Sequence, residues 1–229
     1  MSTHPIPRTV TGLSMILAPL VGLGAVAALP ALRDSRRAEI TVIAAHPDRF
    51  YLYAVGILLS SYLLVPAYFG LMTLMRDRSP RWAYLAGGLA QIGLLVAIGD
   101  AATELLYWQM GAPKADPGQM SALANRYESA AGSGLVYSIG GLAVLAGTVL
   151  VSVGLWRTRV VPRWTTVAIS VSVLANVAGF SMANQALLIG SYLLLLPAFA
   201  RIGAIVLTSA PERGIVGAGV TSPTGAPAV

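Results

Sequence analysis

Asp100 and Glu104 stand one helical turn apart in an otherwise apolar stretch, and Tyr107 and Trp108 continue the same face at i+7 and i+8 from Asp100. A carboxylate within a bilayer costs about 2.5 kcal/mol or more, so such residues face a bundle interior and have a function by default. Two acids at i, i+4 repel when both are charged and would hold one proton between them. That chemistry suits a general acid acting on a hydrophobic substrate, or a proton relay. The bland alternative is geometric. Counting from Arg81, Asp100 lies about 28 Å and Glu104 about 35 Å along a helix, which would let Glu104 reach the headgroups.

Other polar side chains fall in the same leaflet. Tyr51 and Tyr53 begin the second apolar run, Tyr137 and Ser138 enter the fourth, Asn176 lies late in the fifth, and Asn184 and Gln185 occupy the turn before the sixth. Tyr107, Tyr137, Asn176, Asn184 and Gln185 are therefore the candidate ligand-binding residues around Asp100 and Glu104. Tyrosines also form the ordinary interfacial belt, so the acids and amides carry the inference. Arg201, inside the last run, can snorkel to the headgroups of the opposite leaflet.

No other chemistry is legible. The absence of cysteine excludes disulfides and thiolate catalysis. His46-Pro47-Asp48 offers too few ligands for a metal and reads as a turn, while His4 stands alone. Thr3, Ser14 and the other hydroxyls have no positioned base. No metal or cofactor is expected.

The elements that position these residues follow from composition. The chain of 229 residues is 56% hydrophobic and only 10% charged, with a mean hydropathy of +0.73. An ordinary soluble domain is about 25% charged, so the bilayer must be the solvent for most of these side chains. The +6 charge lies in short clusters at the ends of apolar runs, where it meets lipid headgroups rather than nucleic acid.

Six apolar runs are expected to cross the membrane, at about 10–32, 50–75, 82–109, 133–156, 164–182 and 186–208. The fold class is therefore all-α, a bundle of six transmembrane helices. The first run is too long for a signal peptide, whose apolar core is about 7–15 residues, and reads as a retained helix. The boundary near Ser181–Asn184 is the least defined.

With residues 1–9 inside, nine basic residues (Arg8, Arg76, Arg78, Arg81, Arg157, Arg159, Arg163, Arg201 and Arg213) face the cytoplasm. Six (Arg33, Arg36, Arg37, Arg49, Lys114 and Arg126) face outward. Both termini are thus expected in the cytoplasm. The tail 211–229 has little to bury and is expected to be disordered. Asp116-Pro117 should cap a short amphipathic helix on the outer surface, with Met120, Leu123, Ala124 and Tyr127 on one face. Such a helix could lid a cavity or serve as an interfacial linker. Gly140, Gly147 and Gly154 recur every seven residues, as close helix packing requires, and Pro19, Pro66 and Pro197 should kink their helices.

The segment Gly154-Leu155-Trp156-Arg157-Thr158-Arg159-Val160-Val161-Pro162-Arg163-Trp164 resembles a motif of the bacterial membrane family catalogued as domain of unknown function 4386. The layout is similar over roughly 10–208. Pro66 with Phe69-Gly70-Leu71, Ala102-Thr103-Glu104 and Leu193–Pro197 resemble further family positions, although members often carry an acid after the last proline, where this chain has Arg201. The resemblance implies six helices and a bacterial plasma membrane, and it supplies no activity. Fourteen arginines against one lysine also suit a high-GC bacterial genome.

Three functions remain open. The protein could bind a small hydrophobic molecule, lipid or partner protein without catalysis. It could be an intramembrane enzyme using Asp100 or Glu104 on an isoprenoid, as terpene cyclases do. It could be a proton-coupled transporter. The sequence leaves the oligomeric state open.

Overall fold

The computed structural model describes residues 7–30 and 35–208. The readings on Thr3, His4, Arg33, Arg213 and the tail from Pro211 fall outside them.

Among the described residues the chain forms eight helices and no strand: α1 (Arg8–Ala28), α2 (Arg36–Ala45), α3 (Pro47–Arg76), α4 (Pro80–Met110), α5 (Pro117–Ser129), α6 (Ala131–Thr158), α7 (Arg163–Ser181) and α8 (Gln185–Thr208). Lipid offers no partner to backbone polar groups, so an apolar segment immersed in it must satisfy them within a helix. Six helices, all except α2 and α5, are long and apolar enough to cross a membrane. The protein is a multi-pass membrane bundle.

The local chemistry explains where the helices end. The first apolar run was expected to continue to Leu32, but α1 stops at Ala28. Leu29 is extended (φ −53°, ψ 125°) because Pro30 bars it from helical geometry. α2 was not expected. Ser35 caps it by accepting from the Ala38 N–H at 3.3 Å, and Ile40 and Ile43 supply its buried face. It meets α3 directly at His46-Pro47, so those residues form a joint between two helices. α5 is capped by Asp116, whose Oδ1 accepts from the Gly118 N–H at 2.8 Å. It buries Ser121 and Ala124, whereas Leu123 and Tyr127 face outward, so its bundle-facing side is narrower than the apolar pattern suggests.

The six crossing helices close into a ring in the order α1, α3, α4, α6, α7, α8. α2 and α5 cover one end, called here the rim. The opposite end carries the short loops 77–79 and 159–162. Gly140, Gly147 and Gly154 all face α4 or its neighbour. A Cβ at Gly147 would lie 2.4 Å from the Ala90 nitrogen, so α6 and α4 approach backbone to backbone.

The segment bearing the family resemblance joins α6 to α7. Arg159 takes left-handed geometry (φ 54°) at the turn. The Arg163 guanidinium lies 5.2 Å above the Trp156 ring, and that of Arg157 lies 5.9 Å above Trp82. Trp82 Nε1 donates to the Leu150 carbonyl at 3.0 Å, and Arg78 donates to the Thr158 carbonyl. Together these contacts clamp the two short loops at that end.

Candidate ligand cavity

A cavity of about 530 Å³ opens in the rim half of the bundle. Its wall changes character with depth. At the mouth stand Arg36 and Glu39 of α2, Glu128 of α5 and Tyr107 of α4. Next come Tyr53, Asp100, Glu104, Tyr137 and Asn176, from four different crossing helices. The floor is apolar, with Ile57, Leu64, Leu94, Val144 and Val173. Leu64 is 17 residues past Pro47, about 25 Å along α3, so the floor lies well within the hydrocarbon.

The mouth is an ionic cluster. Arg36 pairs with both Glu39 and Glu128, and its guanidinium lies 4.8 Å from the centre of the Tyr107 ring. The Tyr107 hydroxyl donates to Glu128 at 2.6 Å. Burial opposes the Arg36 charge, but Glu39, Tyr107 and Glu128 outweigh it and hold the guanidinium above its ordinary range. Burial pushes the Glu39 carboxyl above the usual range, against the pull of Arg36. One side chain of α2 thus ties both rim helices to α4.

Deeper in the wall, the Tyr53 hydroxyl donates to Glu104 at 3.4 Å. Asp100 is exposed at the cavity wall, and no donor among the described residues reaches its carboxyl. Asn176 donates to Ser191 at 3.3 Å, and the Tyr127 and Tyr137 hydroxyls share a hydrogen bond of 2.6 Å that ties α5 to α6.

The cavity also reaches the seam between α6 and α7. The α6–α7 seam is the sparsest in the ring. Val151 and Leu155 of α6 join Ile169 of α7 in the buried cluster toward the short loops. The buried cluster at the rim takes no described residue from either helix. The buried cluster shared by α6 and α7 thus lies toward their connecting loop, and toward the rim both helices line the cavity. Val177 (43% exposed) and Phe180 (47% exposed) line the cavity while facing outward. Gly141 lines it as well, and a Cβ there would meet nothing within 4 Å.

Of the residues singled out from sequence, Asp100, Glu104, Tyr107, Tyr137 and Asn176 share this wall. Asn184 and Gln185 do not. Gln185 Nε2 donates to the Val26 and Leu29 carbonyls, at 3.2 and 2.9 Å, at the end of α1 just before Pro30. Asn184 Oδ1 caps α8 by accepting from the Leu187 N–H at 3.2 Å. Tyr51 packs on Trp108, with ring centres 4.7 Å apart.

Sequence reading missed Arg36, Glu39 and Glu128 as site residues. The only signal for the first two was the Ser35 cap followed by Ile40 and Ile43 at helical spacing. Among the described residues no group of three or more His, Cys, Asp or Glu could hold a metal. Comparison with protein families, with curated proteins and with solved structures finds no match to this chain.

Proposed function

We propose that this membrane protein binds a lipid-derived amphiphile or another small hydrophobic molecule in the rim cavity. The observation that carries this reading is the graded wall, polar at the mouth and apolar at the floor, which reaches the sparsely packed seam between α6 and α7; the reading takes that seam as a side opening. A volume of about 530 Å³ suits one ligand, since small-molecule sites run to about 300–1,000 Å³. The side opening lets an apolar tail enter from the bilayer without crossing water.

The short loops 77–79 and 159–162, with Arg76, Arg78, Arg81, Arg157, Arg159 and Arg163 in or beside them, support a cytoplasmic location for that end and for both termini, which turns the cavity outward. The arginine-dominated composition and the resemblance to domain of unknown function 4386 support a bacterial plasma membrane.

Native mass spectrometry of the protein released from its own membrane tests the reading. A defined adduct is expected on the wild type and its loss in Gly141→Trp, whose indole would enter the side opening without a backbone clash. Gly88→Trp is the control, because Gly88 is equally open and lies outside the cavity wall. A bare wild-type protein, or an adduct that survives Gly141→Trp, would refute it.

One observation favours a second reading as an enzyme. Tyr53, Tyr107, Tyr137, Phe180 and Tyr192 line the same cavity as Asp100 and Glu104, although aromatics are only 7% of the chain. Aromatic walls beside a carboxylic acid suit general-acid chemistry on an isoprenoid. An adduct that is a cyclised product, lost in Glu104→Gln, would favour the enzyme.

A further inference from the structure

We propose that the cavity selects amphiphiles with a cationic head, an amine or quaternary ammonium, seated between Asp100 and Glu104. The inference rests on the amphiphile-binding reading above and names the head that such a ligand must carry.

The charge on the wall is one-sided. Four carboxyls line the cavity (Glu39, Asp100, Glu104 and Glu128) against one guanidinium, that of Arg36. Arg36 is already engaged by Glu39 and Glu128. Among the described residues no cation stands within ion-pair distance of Asp100 or Glu104. Carboxyls on a membrane-crossing helix are costly when nothing compensates them, and a cation delivered with the ligand would do so. An anionic head would face four carboxyls with no free guanidinium to receive it.

The rings on the wall point the same way. Tyr53, Tyr137 and Tyr192 line the cavity with the two acids, and the face of an aromatic ring attracts a cation, best of all one shielded from water. The mouth already holds a filled version of this chemistry. There the Arg36 guanidinium lies over Tyr107, flanked by two carboxylates. One level deeper the carboxyls and rings recur, with none of the described cations within ion-pair distance of Asp100 or Glu104. The apolar floor below then requires the cation to carry a tail. With no set of three metal-ligating residues among those described, an organic cation fits better than a metal ion.

The full-length protein in phosphatidylcholine nanodiscs provides the test, with three probes of one tail length: dodecyltrimethylammonium, dodecyl phosphate and an uncharged dodecyl oligoethylene glycol ether. Binding is read by native mass spectrometry or calorimetry, with uptake by empty discs subtracted. The ammonium probe is expected to bind at least tenfold more tightly than the uncharged one, and the phosphate least tightly. Asp100→Asn combined with Glu104→Gln should bring the ammonium and uncharged probes within about twofold of each other and leave uncharged binding in place. Equal binding of ammonium and uncharged probes to the wild type would overturn the cationic head and keep the amphiphile site. Preferred phosphate binding would also overturn it. Failure of all three probes to bind above empty discs would overturn the amphiphile reading itself. Because the probe series on the wild type decides the matter alone, a double variant that fails to fold leaves the result intact.

Discussion

Replacing Arg36 with methionine should release the rim helix α5 while leaving the bundle folded. The methionine keeps most of the apolar stem but loses the ion pairs to Glu39 and Glu128 and the stacking on Tyr107. The side chains concerned are 21–38% exposed, so each ion pair is discounted for solvent to about 0.3–1 kcal/mol. The ring contact adds about 0.5–1 kcal/mol. The Glu39 pair lies within α2 and docks nothing, so the Glu128 pair and the ring contact together remove about 1–2 kcal/mol of rim docking, or roughly 5- to 30-fold in the opening equilibrium at about 1.4 kcal/mol per factor of ten. α5 keeps its hydrogen bonds from Tyr107 to Glu128 and between Tyr127 and Tyr137, but it buries only Ser121 and Ala124, so the loss is a large share of its docking. Hydrogen–deuterium exchange in nanodiscs reads that equilibrium through the α5 amides. Their exchange should quicken by this factor while the amides of α1, α3 and α8 keep their rates. Glu128→Gln should have a smaller effect, because its amide oxygen can still accept from Tyr107. Exchange in α5 unchanged within twofold, or an equal rise throughout the bundle, would refute the idea that Arg36 latches the rim.

Two further predictions concern the frame around the cavity. Gly147→Ala should destabilise by about 1–3 kcal/mol, because its Cβ would overlap the Ala90 backbone. Gly141→Ala, on the same helix with open space, should be neutral or stabilise by up to about 1 kcal/mol; thermal unfolding in detergent that ranks the two equally would count against the close α4–α6 approach. Ala183 holds left-handed geometry (φ 48°) at the α7–α8 turn. Ala183→Gly should remove about 1 kcal/mol of backbone strain and raise the melting temperature, and a lower one would show that its methyl matters more than its dihedral.

Much of the frame was legible before any coordinates. The apolar runs announced six crossings, and Asp116-Pro117 announced α5. α2 escaped because ten residues with two buried isoleucines make no run long enough to stand out beside the crossings. The C-terminal end of α1 was overextended because hydropathy alone does not register Pro30. Asn184 and Gln185 carried the right residue types and the right depth. Depth does not specify direction, however, and carbonyls at the C-terminal end of α1 claimed the Gln185 amide.

Sequence by itself determined that this is a six-crossing helical membrane protein with acids placed at a cost on α4. Hydrocarbon imposes that result locally, since every apolar segment of sufficient length must satisfy its own backbone. Only the tertiary structure decided that Asp100 and Glu104 share a cavity with Arg36, Glu39 and Glu128. Arg36 and Glu128 lie 92 residues apart, and no local rule brings them together. Only the tertiary structure showed that α6 and α7 line this cavity at the sparsest seam of the ring, because the closeness of two helices is set by what packs between them. The acids on the third crossing helix therefore changed in meaning. They began as two carboxylates known only by their place on a helix and became part of the wall of a cavity in the rim half of the bundle.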